Sequence, residues 1–341
     1  MALNIHRKPH KIFIIAEAGV NHDGSVDKAK KMIKVAAQAG ADAIKFQTFK
    51  AQAIVTTDAV KADYQIITSG QKETQLEMLK KYELSYKDHE LLIEECKLNN
   101  IEFLSTPFDL SAVDMLVKMG INKWKIASGE ITNLPLLRKI ASLDQEIILS
   151  TGMADLDEIQ AALNVFKDSE IFFNKITVLH CNTQYPTPLE DVNLNAMKTI
   201  KDTFSGIHVG YSDHTQGIEV AVAAASLGAT IIEKHFTLDK NLPGPDHKAS
   251  LEPKELDAMI LAIRNIEKAL GNGIKKCTKS EKENVLIIRK SIVASKDIAI
   301  GEKFSDINLT AKRPGNGISP MKWDDIIGKT AVKSYSKDEV I

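Results

Sequence analysis

Residues 207–237 read IHVGYSDHTQGIEVAVAAASLGATIIEKHFT. An apolar run closes on Ser212 and His214. A helical stretch follows over Ile218–Leu227 and stops at Gly228. A second apolar run then closes on Glu233 and His235. This is the pattern of a strand, a crossover helix and a parallel strand, with polar residues gathered at the C-terminal end of each strand. Working outward, the same form recurs at Ile12–Gly19, Ala43–Phe49, Glu102–Phe108, Lys123–Gly129, Ile147–Met153 and Lys175–Asn182. With Ile207–His214 and Thr230–Thr237 these make eight runs. The segments between them have helical periodicity: over Ser25–Ala39, Ala29, Met32, Ile33 and Ala36 share a face, and Gly40 ends it. Eight strand–helix units predict an α/β fold of the (β/α)8 TIM-barrel type, whose C-terminal strand ends meet at one mouth.

The chain has 341 residues, 44% hydrophobic and 26% charged, the proportions of an ordinary globular protein. A barrel takes about 250 residues, which leaves room for a second, smaller unit. Gly271–Lys282 (GNGIKKCTKSEK) is a polar break after the amphipathic stretch Pro253–Leu270. The tail from Ser291 has short β-type runs, Gly turns and the irregular insert Arg313–Pro320. The expected division is 1–270 for the barrel, 271–288 for a linker and 289–341 for the small domain. Ala51–Lys72 is a long connection, expected to be a lid or binding loop.

A net charge of −1 with no long Lys/Arg run argues against a nucleic-acid or membrane-surface partner. Cys96, Cys181 and Cys277 have no metal-ligand spacing and read as reduced thiols of a cytoplasmic protein. The opening MALNIHRKPHK has no apolar signal core, and Val220–Ile232 is too short to span a bilayer.

His214 and His235 end neighbouring strands, which lie about 4.8 Å apart. Two imidazoles projecting into the mouth can bind one divalent metal with positions left for water and substrate. The alternative is a hydrogen-bonded pair without metal. Asp213 and Glu233 are candidates for further ligands or for groups that orient them. His6, His10 and His89 read as solvated and His180 as core. His22 and His247 are loop residues beside stronger motifs.

Lys45 and Lys125 end strands two and four. A barrel-strand lysine can form a Schiff base, bind a phosphate or carboxylate, or be structural. With Thr106, Ser128, Ser150, Thr183 and Ser212 the two lysines resemble an anion cradle suited to a doubly charged phosphate. Glu17 is a candidate base or water-orienting group, or the salt-bridge partner of a mouth lysine, and Glu130 is similar. Tyr185-Pro186 and Gly244-Pro245-Asp246 place an aromatic hydroxyl and a carboxylate where a polar ligand such as a sugar could be held, and Gln47 flanks Lys45. Arg313, on the turn KRPGNG, is either a surface residue or a ligand clamp presented by the tail.

The phrases AEAGVNHDG, IKFQTF, STPFD, SGEITN, STGM, HCNTQYPTP, GYSDHT, EKHFTLD, GPDHKAS and KRPGNGISP together resemble the bacterial sialic acid synthase family, N-acetylneuraminate synthase and the related legionaminic acid synthases. They run through nearly the whole chain in order. The resemblance implies a TIM barrel followed by a small C-terminal antifreeze-like (SAF) domain. It also implies a homodimer with swapped C-terminal domains, each capping the partner's barrel. The implied reaction condenses phosphoenolpyruvate with the open-chain aldehyde of an N-acylated hexosamine and with water. C–O cleavage of phosphoenolpyruvate releases phosphate and leaves a nonulosonic acid.

Carried over position by position, His214 and His235 would hold a divalent metal, Mn2+ first and Mg2+ or Co2+ as alternatives, and would be catalytic together with Glu17. Lys45, Thr106, Lys125, Ser128, Ser150, Thr183 and Ser212 would hold phosphoenolpyruvate. Gln47, Tyr185, Asp246 and Arg313 would contact the sugar. Two positions depart from the family phrases: Thr183, where some members carry asparagine, and Arg289, where some carry a phenylalanine near the sugar. The expected sugar is N-acetylmannosamine. The alternative is 2,4-diacetamido-2,4,6-trideoxymannose, the legionaminic acid precursor; after it come the altrose isomer of pseudaminic acid synthesis and a Schiff-base aldolase. A 6-deoxy, 4-acetamido sugar calls for a wider, more apolar pocket, with Ala59–Gln75 and Arg289 as the candidate lining. The complete set of mouth residues opposes a decayed, non-catalytic barrel.

Overall fold

The computed structural model describes residues 11–61, 66 and 73–341. Its strands are β1 (Phe13–Gly19), β2 (Ala43–Thr48), β3 (Glu102–Pro107), β4 (Lys123–Ile126), β5 (Glu146–Ser150), β6 (Ile176–His180), β7 (His208–Asp213) and β8 (Ile231–His235). Each falls on one of the eight apolar runs. They pair in the order β3-β2-β1-β8-β7-β6-β5-β4, every ladder parallel, and β4 returns beside β3. The result is a TIM barrel ringed by the crossover helices.

The period-2 alternation of a strand decides what each residue faces. Ile15, Ala43, Leu104, Ile148, Leu179 and Ile231 pack together inside the barrel. Their neighbours Ile14, Ile44, Phe103, Ile147, Val178 and Ile232 point outward into the larger core shared with the helices. Two residues beyond the inner layer, the same strands present Glu17, Lys45, Thr106, Ser150, Cys181 and Glu233. One apolar plug thus underlies the polar mouth.

The helices start where their side chains can satisfy the free N–H groups of a first turn. Ser25 accepts from the Lys28 amide, and Thr74–Glu77, Ser85–Asp88 and Asp155–Glu158 form reciprocal caps. Such a cap contributes about 1 kcal/mol. Gly40 ends the first helix with φ 86°, a conformation that favours glycine.

His89, expected to be solvated, is fully buried on the helix Tyr86–Leu98. Its Nδ1 donates to the Ser85 carbonyl (2.9 Å) and its Nε2 lies 2.8 Å from the Thr48 hydroxyl. That hydroxyl also meets Ser105 at 2.6 Å. Thr48 and Ser105 point outward from β2 and β3 into the apolar layer, and the imidazole supplies the partner they need there. His180, expected in the core, is half-buried, its Nε2 donating to the Val192 carbonyl at 2.9 Å.

The chain divides after Asn272 into two compact units. The second has its own core of Ile292, Ile298, Phe304, Leu309 and Tyr335 around the antiparallel pair β9 (Ser291–Ala294) and β10 (Leu309–Lys312). Within 271–288, the expected linker, Lys282–Ile288 is helical. Of the expected lid Ala51–Lys72, residues 62–65 and 67–72 lie outside the described residues, and Ala51–Ile54 is a short helix. His6 and His10 also lie outside them. Among the described residues, no helix is long and apolar enough to cross a membrane.

Candidate active site

A cavity of about 390 Å³ opens at the C-terminal ends of the barrel strands. Thirteen of the fourteen residues expected at the site line it: Glu17, Lys45, Gln47, Thr106, Lys125, Ser128, Ser150, Thr183, Tyr185, Ser212, His214, His235 and Asp246. Arg313 belongs to the second unit, where its Nε donates to the Ile288 carbonyl at 2.9 Å.

The lysines meet carboxylates. Lys45 Nζ lies 2.7 Å from Glu17 Oε2 and 3.8 Å from Glu233 Oε2, and it donates to Thr106 Oγ1 at 3.0 Å. Lys125 Nζ lies 3.5 Å from Glu233 Oε1 and donates to Ser150 Oγ at 2.8 Å. Ser212 donates to Glu233 Oε1 at 3.0 Å. All four charged groups are buried. The expected anion cradle is therefore a quartet of two lysines and two carboxylates, because Glu17, one of whose expected roles is to pair with a mouth lysine, and Glu233 point inward at the same level as Lys45 and Lys125. Glu233 sits at its centre as the shared partner of both lysines.

Burial dominates the acid–base behaviour here. It pushes Glu17 up to about 7, against the pull of Lys45 and with the help of Glu233. Burial also acts to raise Glu233, but Lys125 and Lys45 bring it below the ordinary value. Burial lowers Lys125, with Glu233 opposing, whereas the carboxylates Glu17 and Glu233 outweigh burial and hold Lys45 up. Asp246 is pushed up to about 6 by burial.

The histidines stand as a pair, ring centroids 5.2 Å apart, with the Tyr185 ring tilted by 31° against His214 at 4.2 Å and edge-on to His235 at 5.5 Å. Burial brings His214 down to about 4 and holds His235 well below its usual range, so both rings are neutral at pH 7. His214 Nδ1 donates to the Asn182 carbonyl, which leaves its Nε2 with a lone pair, 3.4 Å from Ser212 Oγ. His235 Nδ1 is buried without a hydrogen-bond partner, 3.9 Å from Asp246 Oδ2. Two neutral imidazoles, one carrying an unused buried nitrogen, fit a divalent metal. Among the described residues, no third His, Cys, Asp or Glu completes a protein-only cage. Two imidazoles alone leave open positions for water and substrate.

Asp213, expected near the histidines, faces the other way. It pairs with Lys234 at 2.7 Å in the layer outside the barrel, and its Oδ1 accepts from the amide and hydroxyl of Thr215. The physical reason is alternation: if 212 and 214 face inward, 213 cannot. Ser128 accepts from the Gly152 amide at 2.9 Å and touches Cys181 Sγ at 3.2 Å. Gly19 has φ 52°, and a Cβ there would lie 3.2 Å from Glu17 Oε1 and 3.5 Å from His235 Cε1. The turn after β1 thus leaves space for these two side chains.

His22 and His247 are buried and do not line the cavity. His247 bridges Asp23 Oδ1 (3.0 Å) and Thr237 Oγ1 (2.7 Å), joining the loop after β8 to the loop after β1. Ser250 donates to the Asp246 carbonyl at 2.7 Å and accepts from Asn21 at 2.8 Å. Two of these links, His247 to Asp23 and Asn21 to Ser250, join residues more than 200 apart, which places them beyond the reach of sequence reading.

Residues 32–275 match the model of the NeuB family and residues 289–341 that of the SAF domain. The chain is 57% identical to an N,N'-diacetyllegionaminic acid synthase of Campylobacter jejuni, over 97% of this chain and 99% of that protein. It is 46% identical to one of Legionella pneumophila, over 93% and 89%. Among solved structures, an N-acetylneuraminic acid (sialic acid) synthetase of Leptospira borgpetersenii superposes with a TM-score of 0.71 at 38% identity, over 81% of this chain and 91% of that one. A TIM barrel whose mouth gathers this set of residues, followed by a SAF domain, belongs to the NeuB family, the family of the sialic acid synthases.

Proposed function

We propose that the protein is a nonulosonic acid synthase, and that its product is N,N'-diacetyllegionaminic acid. The observation that carries the choice of sugar is the ranking of relatives: 57% and 46% identity to legionaminic acid synthases against 38% to a sialic acid synthetase. The reading thereby moves from N-acetylmannosamine, expected from the sequence, to its alternative, 2,4-diacetamido-2,4,6-trideoxymannose.

In the reaction proposed, C3 of phosphoenolpyruvate bonds to the aldehyde carbon and the aldehyde oxygen becomes a hydroxyl. Water adds at C2, the C2–O bond to phosphorus breaks, and phosphate leaves with the bridging oxygen. Lys45 and Lys125, with Thr106, Ser128, Ser150, Thr183 and Ser212, bind the phosphate and carboxylate. Glu17, poised near 7, exchanges a proton with the attacking water. Gln47, Tyr185 and Asp246 orient the sugar. His214 and His235 would hold the divalent ion, Mn2+ first, which when bound polarises the aldehyde. Arg313 is assigned to the sugar as a clamp presented by a swapped partner's SAF domain; its exposure on the turn before Pro314 supports this.

The test is phosphate release from phosphoenolpyruvate with each of three sugars: N-acetylmannosamine, the diacetamido-trideoxymannose and its altrose isomer. The diacetamido-trideoxymannose should give the highest kcat/KM. With oxygen-18 in the bridging position, the label should leave in phosphate. Preference for N-acetylmannosamine would return the reading to sialic acid synthesis.

A further inference from the structure

The active-site cavity has an apolar side that binding of phosphoenolpyruvate does not use. Val20, Phe49, Met78 and Tyr82 form a cluster separate from the main core, with Ile54, Leu79 and Phe108 packed on it. All of them line the cavity. Phe49, Met78 and Tyr82 are buried beneath, while Ile54, Leu79 and Phe108 are half-buried at the surface of this wall. Phe49 and Phe108 meet edge to face at 6.1 Å, which ties the ends of β2 and β3 together.

The wall stands above the charged quartet. Phe49 is four residues beyond Lys45, and Phe108 is four beyond Leu104, the residue level with Lys45 on β3, so both stand roughly 13 Å further along. The reacting aldehyde carbon must sit at the level of the lysines and histidines. The far end of an open sugar chain then extends outward, toward the wall. Hydroxyls there would meet alkyl and aromatic carbon, although Gln75 and the Tyr82 hydroxyl are polar groups nearby. A methyl group and the methyl ends of acetamido groups match the surface.

We propose that this wall, with Ile54 and Leu79 as its exposed face, seats the C6 methyl and the C4 acetamido methyl of the sugar and so determines specificity. The proposal rests on the legionaminic reading and deepens it. Hydrophobic pockets separate ligands differing by one methylene or one hydroxyl by about 10–200-fold, so the wall can set a preference of that order.

The test measures kcat/KM for the diacetamido-trideoxymannose and for N-acetylmannosamine in wild type, Leu79→Asn, Ile54→Asn and Leu79→Met. Thermal melts and the KM for phosphoenolpyruvate are followed alongside. Both asparagine variants should lower the preference for the 6-deoxy sugar by roughly tenfold, since an amide on the wall serves a hydroxyl better than a methyl. Leu79→Met should keep it. An unchanged ratio, or equal losses with both sugars, in folded asparagine variants of an enzyme that does prefer the 6-deoxy sugar would overturn the wall alone. A wild-type preference for N-acetylmannosamine would overturn the wall and the legionaminic reading together.

Discussion

Asp213 and Lys234 face each other across β7 and β8, Oδ2 to Nζ at 2.7 Å, both fully buried on the outer side of the barrel. On the inner side the residues flanking them are Ser212 and His214 on one strand and Glu233 and His235 on the other. The pair pins the register of the two strands at the level from which the histidines project. Lys234 also donates to the Thr215 carbonyl at 2.6 Å, so its charge is well satisfied.

Lys234→Met should destabilise the protein by about 3–5 kcal/mol, because it strands a buried carboxylate. The double variant Asp213→Asn with Lys234→Met should recover much of that loss, since it removes both charges. Urea unfolding of the three chains checks this. Equal stability of the single variant and wild type would remove the pair's assigned weight.

Chelation should abolish phosphate release, and Mn2+ should restore it. His235→Ala should lose at least about 100-fold in kcat while melting near the wild-type temperature, because the ring lines the cavity and its Nδ1 makes no hydrogen bond that the fold would lose. Full turnover by metal-stripped protein would contradict the assignment of both histidines.

Lys125→Ala removes the partner of Ser150 and leaves Glu233 with one cation. Binding of phosphoenolpyruvate should weaken by about 2–5 kcal/mol, the usual cost of truncating one member of a buried charge pair. The sugar KM should change far less. Titration calorimetry with phosphoenolpyruvate measures the first effect and steady-state kinetics the second.

The raised Glu17 makes a signed prediction. Its folded pKa is about 7 against an ordinary 4.5. The folded state therefore keeps a proton that the unfolded chain releases. The stability this group contributes is full below 4.5 and is lost as pH rises to about 7. Activity runs the other way, because a base must be deprotonated, so kcat/KM should fall as pH drops below about 7. Glu17→Gln should flatten the stability slope and lose most activity. Denaturation midpoints and rates across pH 5 to 8 report on both (about three units, the window set by the two values).

A swapped dimer predicts complementation. Arg313→Ala chains and His235→Ala chains, inactive apart, should regain part of the wild-type rate after subunit exchange, since one intact barrel then meets one intact SAF domain. Rates that stay near zero after confirmed exchange would assign Arg313 to its own barrel.

The barrel was legible because its code is local. An apolar run followed by chemically capable residues recurs eight times, and each run became a strand. Which face those residues take is equally local in principle. Glu17, Lys45, Thr106, Ser150 and Glu233 follow the inner apolar layer by two positions, and the same count would have sent Asp213 outward. Glu17 as a lysine's partner is legible, since it pairs with Lys45 across the neighbouring strands β1 and β2; Glu233 as the shared partner of both lysines is harder to read, because Lys45, Lys125 and Glu233 come from three strands of which no two are neighbours. His89 departs from its expected solvation for a similar reason: besides the Ser85 carbonyl at the start of its own helix, its partner is Thr48, on a strand 41 residues earlier. Of the loop Ala59–Gln75, expected to line the sugar pocket, Gln75 does line the cavity and residues 62–65 and 67–72 lie outside the described residues.

The charge balance of the quartet has a kinetic consequence. Once Glu17 is ionised, above about pH 7, two buried ammoniums face two buried carboxylates and cast almost no field beyond a Debye length, about 10 Å at 0.1 M salt. The chain as a whole carries only −1. A phosphorylated acid approaching this mouth is not drawn in from a distance; it meets the cations only on arrival. Diffusional encounter should then proceed at an unsteered rate that ionic strength barely changes. Selection among anions is thereby deferred to contact, where a ligand must displace carboxylate–lysine pairs already formed and only an anion with two acidic groups at the right separation can replace both.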